Sequence, residues 1–369
     1  MSLFRSTIGL EVLVWTVFHV LPSGVRRARA GPPVIVDGQR LDPDLHLLLR
    51  LESLTSAGGV AVSLERRRRH QEVAGALGGG RRVKGVSARS LAIPSEHGPI
   101  PARLYTPESL PSPSALLIFH HGGGWVTGSL DSHRAACGHL AARAGVRVLA
   151  TDYRLAPEHP FPAAVDDALT VFRYVRDHAD ELDADPAAIA VGGDSAGGNL
   201  SAVTAYLTVR AGEASPAFLL LLYPPCDAVN LAPSRRRLAT GFFLTEADIE
   251  WFTNYYLPPG TDRGDPRASI SLAPDLSGMP PTYLATAGFD PLRDEGEMFA
   301  HRLSEAGGTV VLRRHADLIH GFANMIGLSP RCREALAEAA GALRTALAPS
   351  APHRPAEVAM EPGPVSSCS

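Results

Sequence analysis

The sequence predicts an α/β protein, a mostly parallel sheet of eight strands flanked by helices and covered by a helical cap. Two observations carry that reading. From residue 81 onward, short apolar runs alternate with amphipathic segments, the pattern of strands and helices taken in turn. Strands separated by helices return in the same direction, which makes a sheet parallel and covers both its faces. The alternation lapses between Pro224 and Pro281, where Phe242, Phe243, Trp251, Phe252, Tyr255 and Tyr256 gather. A helical insertion there would lie over the carboxyl ends of the strands, where open α/β sheets bind ligands.

Taken in order, the strand candidates span 86–93, 102–106, 115–120, 146–152, 189–193, 218–223, 282–287 and 309–314. Helix candidates fall at 135–144, 163–178, 198–211, 293–306 and 333–347. No helix separates the first two strands, so they are expected to form an antiparallel edge. Residues 1–80 show little strand character and end in Gly78-Gly79-Gly80, with Arg66 to Arg69 shortly before. That arginine run reads as a solvated helix face or loop. The expected organisation is a cap segment over 1–80, an α/β domain over 81–348 with a cap insertion at about 225–280, and a disordered tail over 349–369, rich in proline, serine and alanine.

Composition narrows the classes of function. With 369 residues, 45% hydrophobic and 20% charged, the chain has an ordinary globular make-up and can bury a large core. A net charge of −3 gives no reason to expect a polyanionic partner, which excludes nucleic acid as the natural expectation. Cys137, Cys226, Cys332 and Cys368 lack the spacing of zinc ligands and read as free thiols in a reducing, cytoplasmic compartment. Lys84 is the only lysine, a bias of composition that carries no function.

The run 8–21 is apolar apart from Glu11, Thr16 and His19, and Arg26, Arg27 and Arg29 follow it. A bilayer span needs roughly 18 largely uncharged apolar residues, and this run is shorter and holds a carboxylate. A secretory signal places its positive charge before the apolar run rather than after it. An amphipathic cap helix is the preferred reading, with weak contact to a membrane surface as the alternative.

The chemistry sits in a few motifs. Gly193-Asp194-Ser195-Ala196-Gly197 fits GxSxG, in which a serine occupies a sharp turn between strand and helix. The pattern recurs by chance, so context decides, and here an apolar strand precedes it and a helix follows. Upstream, the strand at 115–120 runs into His120-His121-Gly122-Gly123-Gly124-Trp125. Bare backbone N–H groups in such a loop can face the oxyanion of a tetrahedral intermediate, joined by the amide of Ala196. A phosphate cradle is the rival reading, but no GK[ST] follows the glycines.

A serine hydroxyl needs a base to take its proton, and the base needs a carboxylate to orient it. His320, in Leu318-Ile319-His320-Gly321-Phe322, follows the last strand candidate, and Asp290 follows the strand at 282–287. The order Ser, Asp, His is the one expected of a serine hydrolase with a nucleophile elbow. Asp317 and Asp294 remain rivals for the carboxylate.

Together these motifs resemble the hormone-sensitive-lipase-like carboxylesterases of the α/β-hydrolase fold. The residues that carry the resemblance are His121-Gly122-Gly123-Gly124-Trp125, Asp152-Tyr153-Arg154-Leu155-Ala156-Pro157-Glu158, Gly193-Asp194-Ser195-Ala196-Gly197-Gly198, Asp290-Pro291-Leu292-Arg293-Asp294 and His320-Gly321-Phe322. More faintly, Val36-Asp37-Gly38-Gln39-Arg40-Leu41-Asp42-Pro43 is similar to the opening of mycobacterial-type lipases and esterases. The resemblance implies a Ser195, Asp290 and His320 triad, with Gly122, Gly123 and the Ala196 amide as oxyanion donors. It implies a structural role for Tyr153 to Glu158. The triple-glycine loop and the aromatic lid favour esters of short to medium acyl chains, and the serine mechanism needs no cofactor and no metal. The resemblance also makes a homodimer an expectation. An amidase or arylformamidase on the same machinery, and a non-catalytic ligand-binding relative, are the alternatives.

Overall fold

The computed structural model describes Val14, residues 16–18, 20–55 and 63–348. The expected tail over 349–369, Cys368 and most of the run 8–21 lie outside the described residues. Past residue 22 the chain forms α1 (Ser23–Ala30), a short hairpin of β1 (Ile35–Val36) and β2 (Gln39–Arg40), then α2 (Pro43–Thr55) and α3 (Leu64–Gly78). The main sheet follows as β3 (Val86–Ile93), β4 (Ile100–Pro107), β5 (Ser114–His120), α4 (Arg134–Ala144), β6 (Arg147–Thr151), α5 (Ala163–Asp177), β7 (Ala184–Asp194), α6 (Ala196–Arg210) and β8 (Phe218–Leu222). Between β8 and β9 (Thr282–Phe289) lie α7 (Pro233–Arg237) and α8 (Glu246–Tyr256), and the chain closes with α9 (Arg293–Glu305), β10 (Val310–Ile319) and α10 (Pro330–Ala346).

The eight-stranded sheet has the order β10-β9-β8-β7-β5-β6-β4-β3. From β10 to β6 every pairing is parallel. The antiparallel edge expected of the first two strands is present, and β4 also pairs antiparallel with β6. Alternation along the strands splits the core. Leu117, Phe119, Leu220 and Leu222 face one side, with Leu140 of α4 and Leu336 of α10. Leu116, Ile118, Leu219 and Leu221 face the other, with Phe172 of α5, Leu200 of α6 and Phe299 of α9. Period-two alternation on strands that are apolar on both faces marks a sheet buried on both sides.

Among the described residues of 1–80, strand is confined to the four residues of β1 and β2, in line with the strand-poor expectation. Asp37 (φ 53°) and Gly38 (φ 74°) occupy the two central positions of the turn between them. Asp-Gly suits a turn that needs positive φ at both positions, but two-residue strands are too short to show alternation. Within the arginine run, Arg66 and Arg69 are exposed on α3 as a solvated helix face would have them, whereas Arg67 and Arg68 depart from that reading. Arg67 pairs with Asp248 at 2.8 Å and its guanidinium lies 4.4 Å from the Trp251 ring centroid. Arg68 grips Glu158 through two bonds of 2.8 and 2.6 Å and donates to the carbonyls of Val126 and Ala156. α3 is thereby fastened both to α8 and to the loops at the carboxyl ends of the strands.

The N-terminal segment is tied in at other points. The Asp42 carboxylate accepts the N–H groups of Asp44 and Leu45 at the start of α2 and the Ser329 hydroxyl before α10. Val14 and Phe18 are buried in the main core, whereas Val20 is exposed. Among the described residues no helix is long and apolar enough to cross a membrane.

Within the Tyr153 to Glu158 stretch, Arg154 meets the buried Asp167 of α5 through its side chain at 2.7 Å and its backbone N–H at 2.8 Å. Removing the carboxylate leaves both donors facing the place it occupied. Asp167→Ala is therefore expected to lower the unfolding free energy by about 2–4 kcal/mol, measured by urea denaturation. A loss under about 0.5 kcal/mol, the range of an ordinary surface substitution, would show that this pair does not brace the loop.

Candidate active site

Ser195 lies between β7 and α6 with φ 51° and ψ −123°, a conformation that L-residues rarely adopt. Close packing of glycine backbone permits it. A Cβ on Gly197 would lie 1.9 Å from the His120 carbonyl oxygen, and one on Gly193 would lie 2.3 Å from the same atom. The Ser195 N–H donates to Leu222 of β8 at 2.9 Å, so the neighbouring strand also fixes the turn.

The structure brings together the three side chains that sequence reasoning selected. His320 Nε2 lies 3.0 Å from Ser195 Oγ, and His320 Nδ1 lies 2.8 Å from Asp290 Oδ2. Asp290 is fully buried just beyond β9, where its other oxygen accepts the Leu292 N–H at 2.8 Å. His320 follows β10, and Gly321 (φ 78°) turns the chain away behind it. The Tyr223 ring, tilted against the imidazole at 4.8 Å, limits its swing. The rival carboxylates are engaged elsewhere: Asp317 with Arg331 at 2.7 Å, and Asp294 with Arg293 and the Ser234 N–H.

The glycine loop requires one correction. Gly122 was expected to be an oxyanion donor, but its N–H points to Asp194 Oδ1 at 2.9 Å, with His133 Nε2 3.3 Å away. Gly123 (φ 123°) and Gly124 (φ 60°) line the cavity beside Ser195 and His320. Neither of their N–H groups is engaged by a partner among the described residues. Ala196 opens α6, where the first N–H groups of a helix have no intrahelical acceptor. The free donors are therefore Gly123, Gly124 and Ala196.

Above these groups lies a cavity of about 210 Å³. Val14, Leu48, Val73 and Leu77 of the N-terminal segment contribute apolar walls, and Ile249, Phe252 and Tyr256 of α8 close the side opposite. Phe252 packs where a side chain on Gly124 would have to go, 2.3 Å from an added Cβ. Trp125 and Tyr256 stack at 4.3 Å.

Charge is placed unevenly beneath and beside this cavity. Burial alone would raise the Asp194 carboxyl, but the facing His133 and the Gly122 N–H outweigh it and hold the group below the usual carboxylate range. Burial pushes His120 down to about 3, with His121 adding to the effect, so it serves as a neutral partner to Thr151 at 2.7 Å. Burial pushes Glu295 up to about 7, against the opposing pull of Arg235. Sequence reasoning missed His133, Asp194 and Arg235 in this neighbourhood; a lone histidine, a motif's variable position and an arginine on the short α7 carry no local signal.

Comparison with known proteins identifies the family. Residues 117–324 match the family described as alpha/beta hydrolase fold. The chain belongs to the α/β-hydrolase fold family. It is 42% identical to the carboxylic ester hydrolase LipN of Mycobacterium tuberculosis over 92% of this chain and 91% of that protein. It is 37% identical to the ethyl acetate hydrolase of Pseudomonas putida over 82% of this chain and 98% of that one. Among solved structures, the Pyrobaculum calidifontis esterase superposes with a TM-score of 0.76 at 35% identity, covering 83% of this chain and 98% of that chain. The resemblance to hormone-sensitive-lipase-like carboxylesterases, read from motifs alone, is borne out.

Two predictions follow from this site. Gly197→Ala forces a methyl group against the His120 carbonyl, so it is expected to cost about 3 kcal/mol or more of stability or to yield no soluble protein. A thermal melt like that of the unsubstituted chain would show that the turn does not depend on this approach. The second concerns pH. Folded Glu295 stays protonated to about 7, against an ordinary 4.5 in the unfolded chain, so it makes stability fall as pH rises across that window and level off above it. Glu295→Gln removes that component, and urea midpoints at about pH 5 and about pH 8 should differ less in the variant than in the parent chain.

Proposed function

We propose that this α/β hydrolase cleaves short to medium acyl esters through an acyl-enzyme on Ser195. As an enzyme it is a serine carboxylesterase. The observation that carries the mechanism is the continuous hydrogen-bonded line from Ser195 Oγ through His320 to Asp290, at 3.0 and 2.8 Å. The distances match those of a nucleophile held by its base and a base held by its orienting carboxylate.

In this reading Ser195 Oγ attacks the ester carbonyl carbon while His320 Nε2 takes the hydroxyl proton. Asp290 accepts the Nδ1–H and stabilises the imidazolium that forms. The N–H groups of Gly123, Gly124 and Ala196 meet the oxyanion as charge develops on it. His320 then gives its proton to the departing alkoxide, leaving an ester between the acyl group and Ser195. Water attacks that ester with His320 again as base, and the carboxylic acid leaves as Ser195 recovers its proton.

The residues over 1–80 and about 225–280 act as the cap in this reading. Support comes from α3 and α8, which wall the cavity and are joined by the Arg67–Asp248 pair. A small apolar cavity closed by Phe252 and Tyr256 favours acyl groups of modest length, in keeping with a relative named for ethyl acetate.

Ser195→Ala should reduce kcat on p-nitrophenyl butyrate by about 10⁵-fold or more while leaving the fold intact. Retention of full activity would remove Ser195 from the mechanism. Across a series of nitrophenyl esters, kcat/KM should peak at short to medium acyl chains and fall steeply for palmitate. A preference for long, emulsified triglycerides would contradict the size reading of the cavity.

A further inference from the structure

The mechanism above assigns no task to Asp194 or His133, although both are buried directly beneath the glycine loop, 3% and 1% exposed. We propose that Asp194 and His133 are positioning residues that hold this loop so that the Gly123 and Gly124 N–H groups face the reacting carbonyl. The inference rests on reading Ser195 as the nucleophile, since the loop matters only if an oxyanion forms there.

One carboxylate joins three loops. Asp194 Oδ1 accepts the Gly122 N–H at 2.9 Å and faces His133 Nε2 at 3.1 Å. Its other oxygen lies 3.4 Å from both the Tyr223 hydroxyl and Asn324 Nδ2. The same Tyr223 hydroxyl accepts the Ala323 N–H at 3.2 Å, and its ring packs on His320. The elbow, the glycine loop and the histidine loop therefore share a single buried anion.

The first glycine of the loop is explained by this contact. A Cβ on Gly122 would lie 2.6 Å from Asp194 Oδ2 and 2.9 Å from the Asp194 carbonyl oxygen. Only a residue without a side chain lets the loop come close enough to donate to the carboxylate. With the Gly122 N–H turned inward, the next two peptides are directed toward the cavity that holds Ser195 and His320.

His133 is itself fixed. Its Nδ1 lies 2.8 Å from the Ser132 hydroxyl, and its ring lies 5.5 Å from that of His121, which stacks on Tyr153 at 4.4 Å. Tyr153 in turn donates its hydroxyl proton to the His121 carbonyl at 2.7 Å. Hydrogen-bond donors of an oxyanion hole act through placement to within a fraction of an ångström, so an anchor one peptide away affects the transition state more than substrate binding.

The test uses the full chain with p-nitrophenyl butyrate as substrate and a trifluoromethyl ketone as an inhibitor whose serine adduct carries an oxyanion. His133→Leu removes the donor, His133→Gln restores one, and Asp194→Asn removes the charge at nearly constant shape. His133→Leu and Asp194→Asn should lower kcat by about 10- to 100-fold with KM within about twofold, and raise the ketone Ki by a similar factor. His133→Gln should recover most of the loss. The proposal is overturned if the folded variants keep kcat within about twofold of the parent, or if KM rises while kcat and the ketone Ki do not change. Should His133→Leu fail to fold, the near-isosteric Asp194→Asn decides alone by the same criteria. Absence of ester turnover in the parent chain would instead be a failure of the esterase reading, seen before any variant is made.

Discussion

The backbone at Ser195 is the constraint on which the site depends. Its φ of 51° is costly for a residue with a side chain and persists only where the surroundings leave no alternative. Those surroundings are the His120 carbonyl, pressed against Gly193 and Gly197, and the Leu222 carbonyl, which takes the Ser195 N–H. Both come from strands flanking β7 in the middle of a sheet buried on both faces. The stability of that sheet therefore maintains a local conformation that no short segment would hold by itself. The result is a hydroxyl raised above the sheet and a helix N-terminus directly behind it.

Once the turn is fixed, the remaining groups arrive by topology. β5, β9 and β10 run parallel to β7 or to its neighbours, so the loops leaving them open on the same end of the sheet. Parallel strands thus deliver the glycine loop, Asp290 and His320 to one place from positions far apart in the chain. The polar contacts then set the finer spacing: Leu292 N–H on Asp290, Tyr223 beside His320, and Asp194 on Gly122. The N-terminal helices complete the enclosure, and Arg67 and Arg68 connect them to α8 and to Glu158.

Much of this was legible in the sequence, for physical reasons that differ by element. The central strands are apolar on both faces and bounded by turns, so 115–120 and 218–223 fall within a residue of the observed β5 and β8. β10 was cut short at 314 because it is an edge strand whose later residues mix charged and apolar side chains, yet it runs to Ile319. α10 begins at Pro330 rather than Arg333, since the Ser329 side chain accepts the Arg331 N–H and caps it. Ser195, Asp290 and His320 could be read because each sits in a motif beside a strand end. Gly122 misled for the same reason: the triple glycine marks a loop with bare amides, but the direction of each amide depends on Asp194 and His133, one of them in another loop. Likewise Arg67 and Arg68 look like solvated charge until the partners Asp248 and Glu158, far along the chain, are in place.

The central claim is that one hydroxyl is made reactive by His320 and Asp290, and a fluorophosphonate probe followed by peptide mapping tests it most directly. The account expects a single modified residue, Ser195, and loss of labelling when His320 is replaced by alanine. Modification at another serine, or unchanged labelling of Ser195 without His320, would contradict it.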